Sequence, residues 1–342
     1  MTPETKNLIK LICAIASVAV VLIAALILVG TFPGSGISES PSNNLNPVPP
    51  DADDTTSPIE TNVKLYFRYS DTDMLASETR RIQSYSNQRV EQAVLMELLA
   101  GPSQGTGLTR VIDSQTRVVS ISNEGDTLVV TFSEEYLRQR SNLPDGWGED
   151  AALREEEYLR RRLAVYSVVN TLAGMGDYSH VQILIDYNNT GIGQKVTRAR
   201  LGFTEDAGEL NKPLQPLAFN EAVTLNVGNT VNAVFRALTA HDWQTVYLFL
   251  SSKTESGLNR PLYDTVAGSL QQSASRLFNY EVTGAVYGTD GKRAVVFLNL
   301  NFELENGTKI SKISAPVKLR AVNEIWLIDH DVLYGLFTEA GQ

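Results

Sequence analysis

The sequence of 342 residues contains one cysteine and only three histidines. A single thiol, Cys13, excludes an internal disulfide bond and any zinc site built from cysteines. His180, His241 and His330 are far apart in the sequence and lack the short spacing of a metal-binding helix. We therefore expect the protein to hold no metal ion and no cofactor.

Basic residues are also too few for a nucleic-acid partner. The chain has 29 Lys and Arg against 39 Asp and Glu, which gives a net charge of −10 and a pI near 4.9. Binding to nucleic acid requires clustered cations that neutralise phosphates. The charge balance excludes this class of partner.

A recognisable catalytic signature is absent as well, so we expect the protein not to be an enzyme. Two Tyr–Asp pairs, Tyr263 with Asp264 and Tyr247 with Asp329, could supply the phenol and carboxylate of an isomerase site. However, adjacent residues on a helix point in different directions, and the aromatic residues here follow the apolar stripes of a core. The structural interpretation is the stronger one.

The chain does contain one long uncharged apolar run, Leu11–Gly30. About 20 apolar residues in a helix span a bilayer, whereas the apolar region of a signal peptide is about 7–15 residues long. Lys6 and Lys10 precede the run, and acidic residues follow it, which by the positive-inside rule leaves the amino terminus in the cytoplasm. Residues 1–32 are therefore predicted to be a cytoplasmic tip and a single-pass anchor in the cell membrane, with the bulk of the chain extracytoplasmic.

Residues 33–58 are rich in Pro, Ser, Asn and Asp and poor in large apolar side chains. Such a composition cannot bury enough surface to fold. This segment is predicted to be a disordered linker between the anchor and the folded part.

Residues 59–204 have the periodicity of an α+β domain. The predicted strands are Val63–Tyr69, Arg117–Ser122, Thr127–Phe132, Val181–Ile185 and Lys195–Phe203, and the predicted helices end at Ala100, before Gly101-Pro102, and span Asp150–Ala173. The expected arrangement is two helices on one face of a single sheet.

The second of these helices carries the charged clusters Glu155–Glu157 and Arg160–Arg162. Arg160, Arg161 and Arg162 could form an interaction surface for a partner protein. The alternative is a solvated helix face stabilised by Glu–Arg pairs at i,i+4.

A family resemblance covers nearly all of residues 59–204. The run Glu97-Leu-Leu-Ala-Gly-Pro102, the following Gly107-Leu108 and the hairpin resemble the GerM domain of sporulation and germination proteins. The later run Tyr166–Leu172 and the strand Val181–Asp186 are similar to that family's second helix and next strand. The resemblance implies a module like those that build rings in sporulation complexes, without catalytic residues.

Residues 205–220 contain Pro213 and Pro216 and are predicted to be an interdomain linker. Residues 221–342 then give helices first, with a break at His241-Asp242 and a further helix from Pro261, and four strand-like runs after them. This order, together with the closing run Glu324–Asp329, resembles the NTF2-like superfamily, whose fold is a cone-shaped α+β domain. That superfamily includes enzymes, ligand pockets and interaction modules, so the fold alone does not decide the function.

Together these observations predict a non-enzymatic, membrane-anchored, extracytoplasmic scaffold or interaction protein. The resemblance implies the cell envelope of a Gram-positive bacterium and a link to sporulation, germination or peptidoglycan remodelling. Expected partners are the membrane, through Leu11–Gly30, other envelope proteins or further copies of the chain, and peptidoglycan. The alternative function is a ligand-binding sensor whose NTF2-like cavity takes a small apolar molecule or a cell-wall fragment.

Overall fold

The structure, a computed structural model, describes residues 58–85 and 87–338. The predicted membrane anchor and all but the last residue of the predicted linker at 33–58 lie outside these residues. No helix in the described ranges is long and apolar enough to cross a membrane. Residues 58–338 fall within a single compact unit, and the domain boundaries predicted inside this unit stay a prediction.

The described residues form a mixed α+β structure with three sheets and six α-helices. In the N-terminal part, residues 58–204, the elements are β1 (Ile59–Tyr69), β2 (Leu75–Ser84), α1 (Val90–Ala100), β3 (Leu108–Thr109), β4 (Val118–Glu124), β5 (Thr127–Ser133), α2 (Ala151–Ala173), β6 (His180–Asp186) and β7 (Gln194–Lys195).

These strands form two sheets rather than the single sheet expected from the sequence. One sheet has the order β2-β1-β3 and the other the order β4-β5-β6-β7, in which β5 and β6 run parallel. Helix α1 packs against β1, β2 and β4, and α2 packs against β1 and β6. The expectation missed the second sheet because β2, which pairs with β1 from end to end, is interrupted by the charged run Glu78–Arg81.

Helix α2 begins and ends as the sequence predicts. The Asp150 carboxylate accepts hydrogen bonds from the backbone amides of Ala152 and Leu153, at 2.8 and 3.2 Å, and so caps the helix. Gly174 follows the last helical residue, and its amide donates to the carbonyl of Asn170 at 3.0 Å. Both helix ends are thus satisfied by local groups.

The strand predicted at Lys195–Phe203 is wrong beyond its first residue. Strand β7 covers only Gln194–Lys195, and Ala199–Leu201 form a turn of 3₁₀ helix. Gly202 then adopts a φ of +82°, and a Cβ at this position would lie 2.1 Å from the carbonyl oxygen of Tyr158 on α2. The close approach of this loop to α2 requires glycine at position 202.

The segment 205–220, predicted to be a linker, forms hydrogen bonds to the N-terminal part. Leu217 and Val181 exchange backbone hydrogen bonds of 2.8 and 3.0 Å, and the amide of Leu214 donates to Val196. The side chain of Leu214 is buried. These bonds attach the segment to β6 and to the residue that follows β7.

The C-terminal part, residues 221–338, has the predicted order of helices followed by strands. Its elements are α3 (Val227–Ala240), α4 (Trp243–Leu248), α5 (Tyr263–Gln271), β8 (Ser275–Tyr287), β9 (Arg293–Leu304), β10 (Lys309–Val322), β11 (Ile325–Ile328) and α6 (His330–Thr338). The strands form one antiparallel sheet in the order β11-β10-β9-β8. Helix α6 was not predicted. The assignment of this part to an NTF2-like cone stays a prediction.

Candidate interaction surfaces

The predicted surface of Arg160, Arg161 and Arg162 lies on α2, where the side chains are largely covered. Arg160 is buried, and the side chains of Arg161 and Arg162 are 15% and 19% exposed. Arg160 and Arg161 pair with the carboxylate of Glu157, which is 0% exposed. Arg162 pairs instead with Glu155 and Glu205. The sequence indicated a Glu–Arg pair on a solvated face, and the structure buries it.

Glu157 accepts hydrogen bonds from three arginines. Arg160 donates to both carboxylate oxygens, at 2.7 and 3.0 Å, while Arg161 and Arg140 each donate once, at 3.2 and 3.3 Å. Burial raises the pKa of the Glu157 carboxyl, but the hydrogen bonds and charges of Arg160 and Arg161 outweigh it, so this pKa lies below its ordinary value. The buried carboxylate is therefore charged and fully paired.

The same arginines hold α2 to its surrounding loops. Arg160 donates to the carbonyls of Val111, at 2.5 Å, and Arg138, at 3.0 Å. Arg161 donates to the carbonyl of Arg200, at 3.1 Å, and Arg162 to that of Gly202, at 2.8 Å. Arg160 thus acts within the fold, whereas contact of Arg161 and Arg162 with a partner stays a prediction.

A second surface feature is a groove of about 730 Å³ that the sequence did not predict, here called the central groove. Its walls come from β1 and β2 on one side, and from residues 219–226, the β8–β9 turn and the β10–β11 turn on the other. It therefore contains side chains from both the N-terminal and the C-terminal part.

The two sides of the central groove are joined by hydrogen bonds. The amide of Leu225 donates to the carbonyl of Leu75, at 2.7 Å. Glu324 accepts from the Ser77 hydroxyl and from the backbone amide of Thr79, both at 3.2 Å. Away from the lining of the groove, the Tyr69 hydroxyl also links the two parts by donating to the carbonyl of Leu248 at 2.7 Å.

Tyr66 lies on the wall of the central groove between two carboxylates. Burial raises the pKa of its phenol, and the charges of Glu324 and Glu221 raise it further. Tyr66 lies between the buried residues Leu65 and Phe67 of β1, and so on the opposite face of the strand. An aromatic residue on that face is a signal that could have indicated the groove. Glu324 and Trp326, which come from the far end of the sequence, gave no comparable signal.

A third feature, here called the end pocket, lies in the C-terminal part and has a volume of about 310 Å³. Its apolar lining consists of Leu238, Trp243, Leu270, Leu277 and Phe337. Polar side chains at its rim include His241 and Arg276. The composition is that of a small ligand pocket.

Of the two Tyr–Asp pairs considered for catalysis, Tyr263 and Asp264 are both exposed on α5, and Tyr247 and Asp329 are each bonded to other groups. The Tyr247 hydroxyl donates to the carbonyl of Pro261 at 3.1 Å, and Asp329 accepts from Arg320 at 2.8 Å, from the amide of Glu255 at 2.7 Å and from the Ser251 hydroxyl. Burial raises the pKa of the Asp329 carboxyl, but these hydrogen bonds and the Arg320 charge lower it below its ordinary value. In the described ranges, no group of three or more His, Cys, Asp and Glu residues could hold a metal ion.

Comparison with solved structures gives only distant likenesses. A putative lipoprotein from Clostridium perfringens is 16% identical over 50% of this chain and 94% of that one, with a TM-score of 0.27. The tandem GerMN domains of the sporulation protein GerM from Bacillus subtilis are 17% identical over 52% of this chain, with a TM-score of 0.32. The present chain spans about half of that second protein's length, 51%. Likenesses this distant carry no argument about function.

The family comparison is more informative. No curated protein matches the sequence. The model of the Germane family, described as sporulation and spore germination, matches residues 64–189. This range runs from within β1 to the loop after β6, so it includes the two helices and both sheets except the first residues of β1 and the short strand β7. The match confirms the resemblance predicted from the sequence. Residues 64–189 of this chain are therefore a Germane domain.

Proposed function

We propose that the protein is a non-enzymatic, membrane-anchored scaffold or interaction protein of the bacterial cell envelope that serves sporulation or germination. The Germane domain supports a role in sporulation or germination. The apolar run Leu11–Gly30 supports a membrane anchor with the folded part outside the membrane. Neither observation requires catalytic residues.

The scaffold role is supported most directly by the free edge of the C-terminal sheet. Strand β8 is the outermost strand, with no strand partner on its outer side among the described residues. Val286 and Tyr287, near its end, are each 60% exposed. A long edge strand with exposed apolar side chains is a template for pairing with another chain.

This role can be tested by measuring the mass of the full-length protein by sedimentation in a density-matched detergent, over a wide range of protein concentration. We expect association that grows with concentration. Val286→Lys on β8 should abolish it, because a charge on an edge strand opposes strand pairing. Met96→Lys is the matched control, since Met96 is an exposed apolar residue on helix α1 and not on a strand of the C-terminal sheet.

A protein that stays monomeric at every concentration would argue against self-association through β8. Cross-linking in sporulating cells, with the same two variants, would then ask whether a different envelope protein binds this edge. If neither measurement depends on Val286, the edge-strand basis of the proposal is wrong.

The end pocket supports a second candidate, a sensor for a small apolar molecule. Its volume of about 310 Å³ lies at the lower end of the range for ligand pockets, and apolar side chains with a few polar groups line it. Ser273 lines the pocket and Ala274 next to it is exposed. An apolar fluorescent dye should bind the wild type and the Ala274→Trp variant but not the Ser273→Trp variant, whose indole would fill the pocket.

A further inference from the structure

The central groove takes no part in the edge pairing or the end pocket proposed above. It is open to solvent and is lined by residues of both the Germane domain and the C-terminal part. Its lining combines three features that together specify the chemistry of an occupant: exposed aromatic rings, fixed polar groups and a nearly balanced charge.

Three aromatic side chains line the central groove, namely Tyr66, Phe219 and Trp326. All three are partly exposed, and the rings of Tyr66 and Phe219 meet edge to face at a centroid distance of 5.7 Å. Leaving such rings in contact with water forfeits the stabilisation that burial would give. Flat, amphipathic rings held in an open groove are instead suited to stack against the apolar face of a flat, otherwise polar ligand.

The polar groups of the central groove include a carboxylate in a fixed position. Glu324 is held by the Ser77 hydroxyl and the Thr79 amide, and its backbone has a φ of +67°. The preceding residue, Asn323, also has a positive φ, of 51°. A turn of this kind favours glycine at its second position, so the chain tolerates strain to keep a carboxylate there. Such a carboxylate accepts hydrogen bonds from ligand hydroxyl groups.

The charges of the central groove are close to balance. Lys64 and Lys292 face Glu221, Asp290 and Glu324, so two positive and three negative side chains line it. A polyanion would meet more repulsion than attraction here, and a cation would gain little. The preferred ligand is therefore uncharged, rich in hydroxyl groups and apolar on one face, which is the chemistry of a sugar ring.

We propose that the central groove binds an uncharged oligosaccharide chain. Tyr66 and Trp326 stack on sugar rings, and Glu324 accepts hydrogen bonds from hydroxyl groups. One point of this proposal rests on the proposed function, namely where the ligand comes from. A folded part outside the membrane lies in the same compartment as the glycans of the cell wall.

The test uses the full-length protein in a detergent without a sugar headgroup, titrated calorimetrically with chitohexaose, a chain of N-acetylated amino sugars. Loss of an aromatic platform in Tyr66→Ala or Trp326→Ala should weaken binding about tenfold. Glu324→Gln, which keeps the shape of the side chain, should weaken it about fivefold. Trp243→Phe is the matched control, because Trp243 lines the end pocket instead, and it should retain wild-type affinity.

A second titration with maltohexaose distinguishes the source of the sugar. Tighter binding of chitohexaose supports a cell-wall glycan, and equal binding supports an oligosaccharide site without preference for amino sugars. The proposal is overturned if neither sugar binds at millimolar concentration, or if all three groove variants bind like the wild type. It is also overturned if a synthetic peptide of the proline-rich residues 41–58 binds in the groove and the sugars do not. These titrations are independent of the sedimentation measurement, so this proposal and the scaffold proposal fail separately.

Discussion

The N-terminal and C-terminal parts each bury a carboxylate, and they hold it in different ways. Glu157, on α2, is paired mainly by Arg160 and Arg161, which follow it by three and four residues on the same helix. Asp329, after β11, is held by Ser251 and the amide of Glu255, which precede it by 78 and 74 residues, and by Arg320. The first network is mostly local, whereas the second joins a distant loop to the end of the sheet.

The two networks also differ in how completely the charge is removed from water. Glu157 is 0% exposed and is bonded by three guanidinium groups, whereas Asp329 is 8% exposed and is bonded by one. Breaking a buried ion pair leaves the remaining charges desolvated without a partner, and this penalty grows with burial. The local network of Glu157 should therefore be the more sensitive of the two.

The largest effect is expected for Glu157→Gln. This change keeps the side-chain volume but leaves buried Arg160 without its counter-charge, which should lower the free energy of unfolding by about 3–5 kcal/mol. Urea unfolding followed by circular dichroism measures this loss. Glu155→Gln is the matched control, because Glu155 is an exposed glutamate on the same helix that pairs with Arg162. A loss equal to that of the control would show that Glu157 does not anchor α2.

A smaller effect is expected for Asp329→Asn. The amide can still accept a hydrogen bond but loses its charge-assisted bonds to Arg320 and Ser251, and we expect a loss of about 2 kcal/mol. The same urea titration measures it, with the exposed Asp331→Asn as control. If Asp329→Asn lost more stability than Glu157→Gln, burial would not be what ranks the two networks.

The comparison shows why the sequence predicted one network better than the other. The spacing of Glu157, Arg160 and Arg161 is visible in a single helix, so their pairing could be predicted. Their burial could not, because it depends on the loops around Val111 and Arg138 that close over Arg160. The partners of Asp329 are brought together only by the folded chain, and nothing in their spacing indicates it.

The same distinction between local and distant information applies to the fold. Helix α2 has strong periodicity and was predicted nearly to its ends, and the four strands of the C-terminal sheet were predicted as runs in the observed order. Strand β2 was missed because its charged side chains find partners only in the folded structure. Arg80, for example, donates to Glu78, to Glu97 and to the carbonyl of Gly101. The central groove was missed for a similar reason, since one of its walls comes from residues 64–79 and the other from residues 219–326.

Acidification should weaken both networks, and by less than the Glu157→Gln and Asp329→Asn substitutions do. The pKa values of Glu157 and Asp329 lie below their ordinary values of 4.5 and 3.8, so the folded state favours the charged forms. Their contribution is fully present above these ordinary values and is lost as the pH falls through the lowered pKa values of the folded protein. We expect the free energy of unfolding, measured in urea, not to change through these groups between pH 7 and pH 5.5. At pH 4 it should be lower by less than about 1 kcal/mol. The decline should be shallower in Asp329→Asn, and an equally steep decline would exclude Asp329 as a contributor.

The smallest effect is expected for Arg162→Ala, at the outer end of the α2 arginine cluster. Arg162 pairs with Glu155, at 3.1 Å, and Glu205, at 3.5 Å, and both glutamates are mostly exposed. Exposed ion pairs contribute little because water screens the charges and the side chains lose conformational freedom. The substitution also removes the hydrogen bond to the carbonyl of Gly202, and we expect a total loss of about 0.5–1 kcal/mol in urea unfolding. Because this variant should fold like the wild type, it also tests the predicted interaction surface. Weaker association of Arg162→Ala in sedimentation or cross-linking would assign Arg162 to a partner contact. Unchanged association would leave Arg162 with only its structural contacts to Glu155, Glu205 and Gly202.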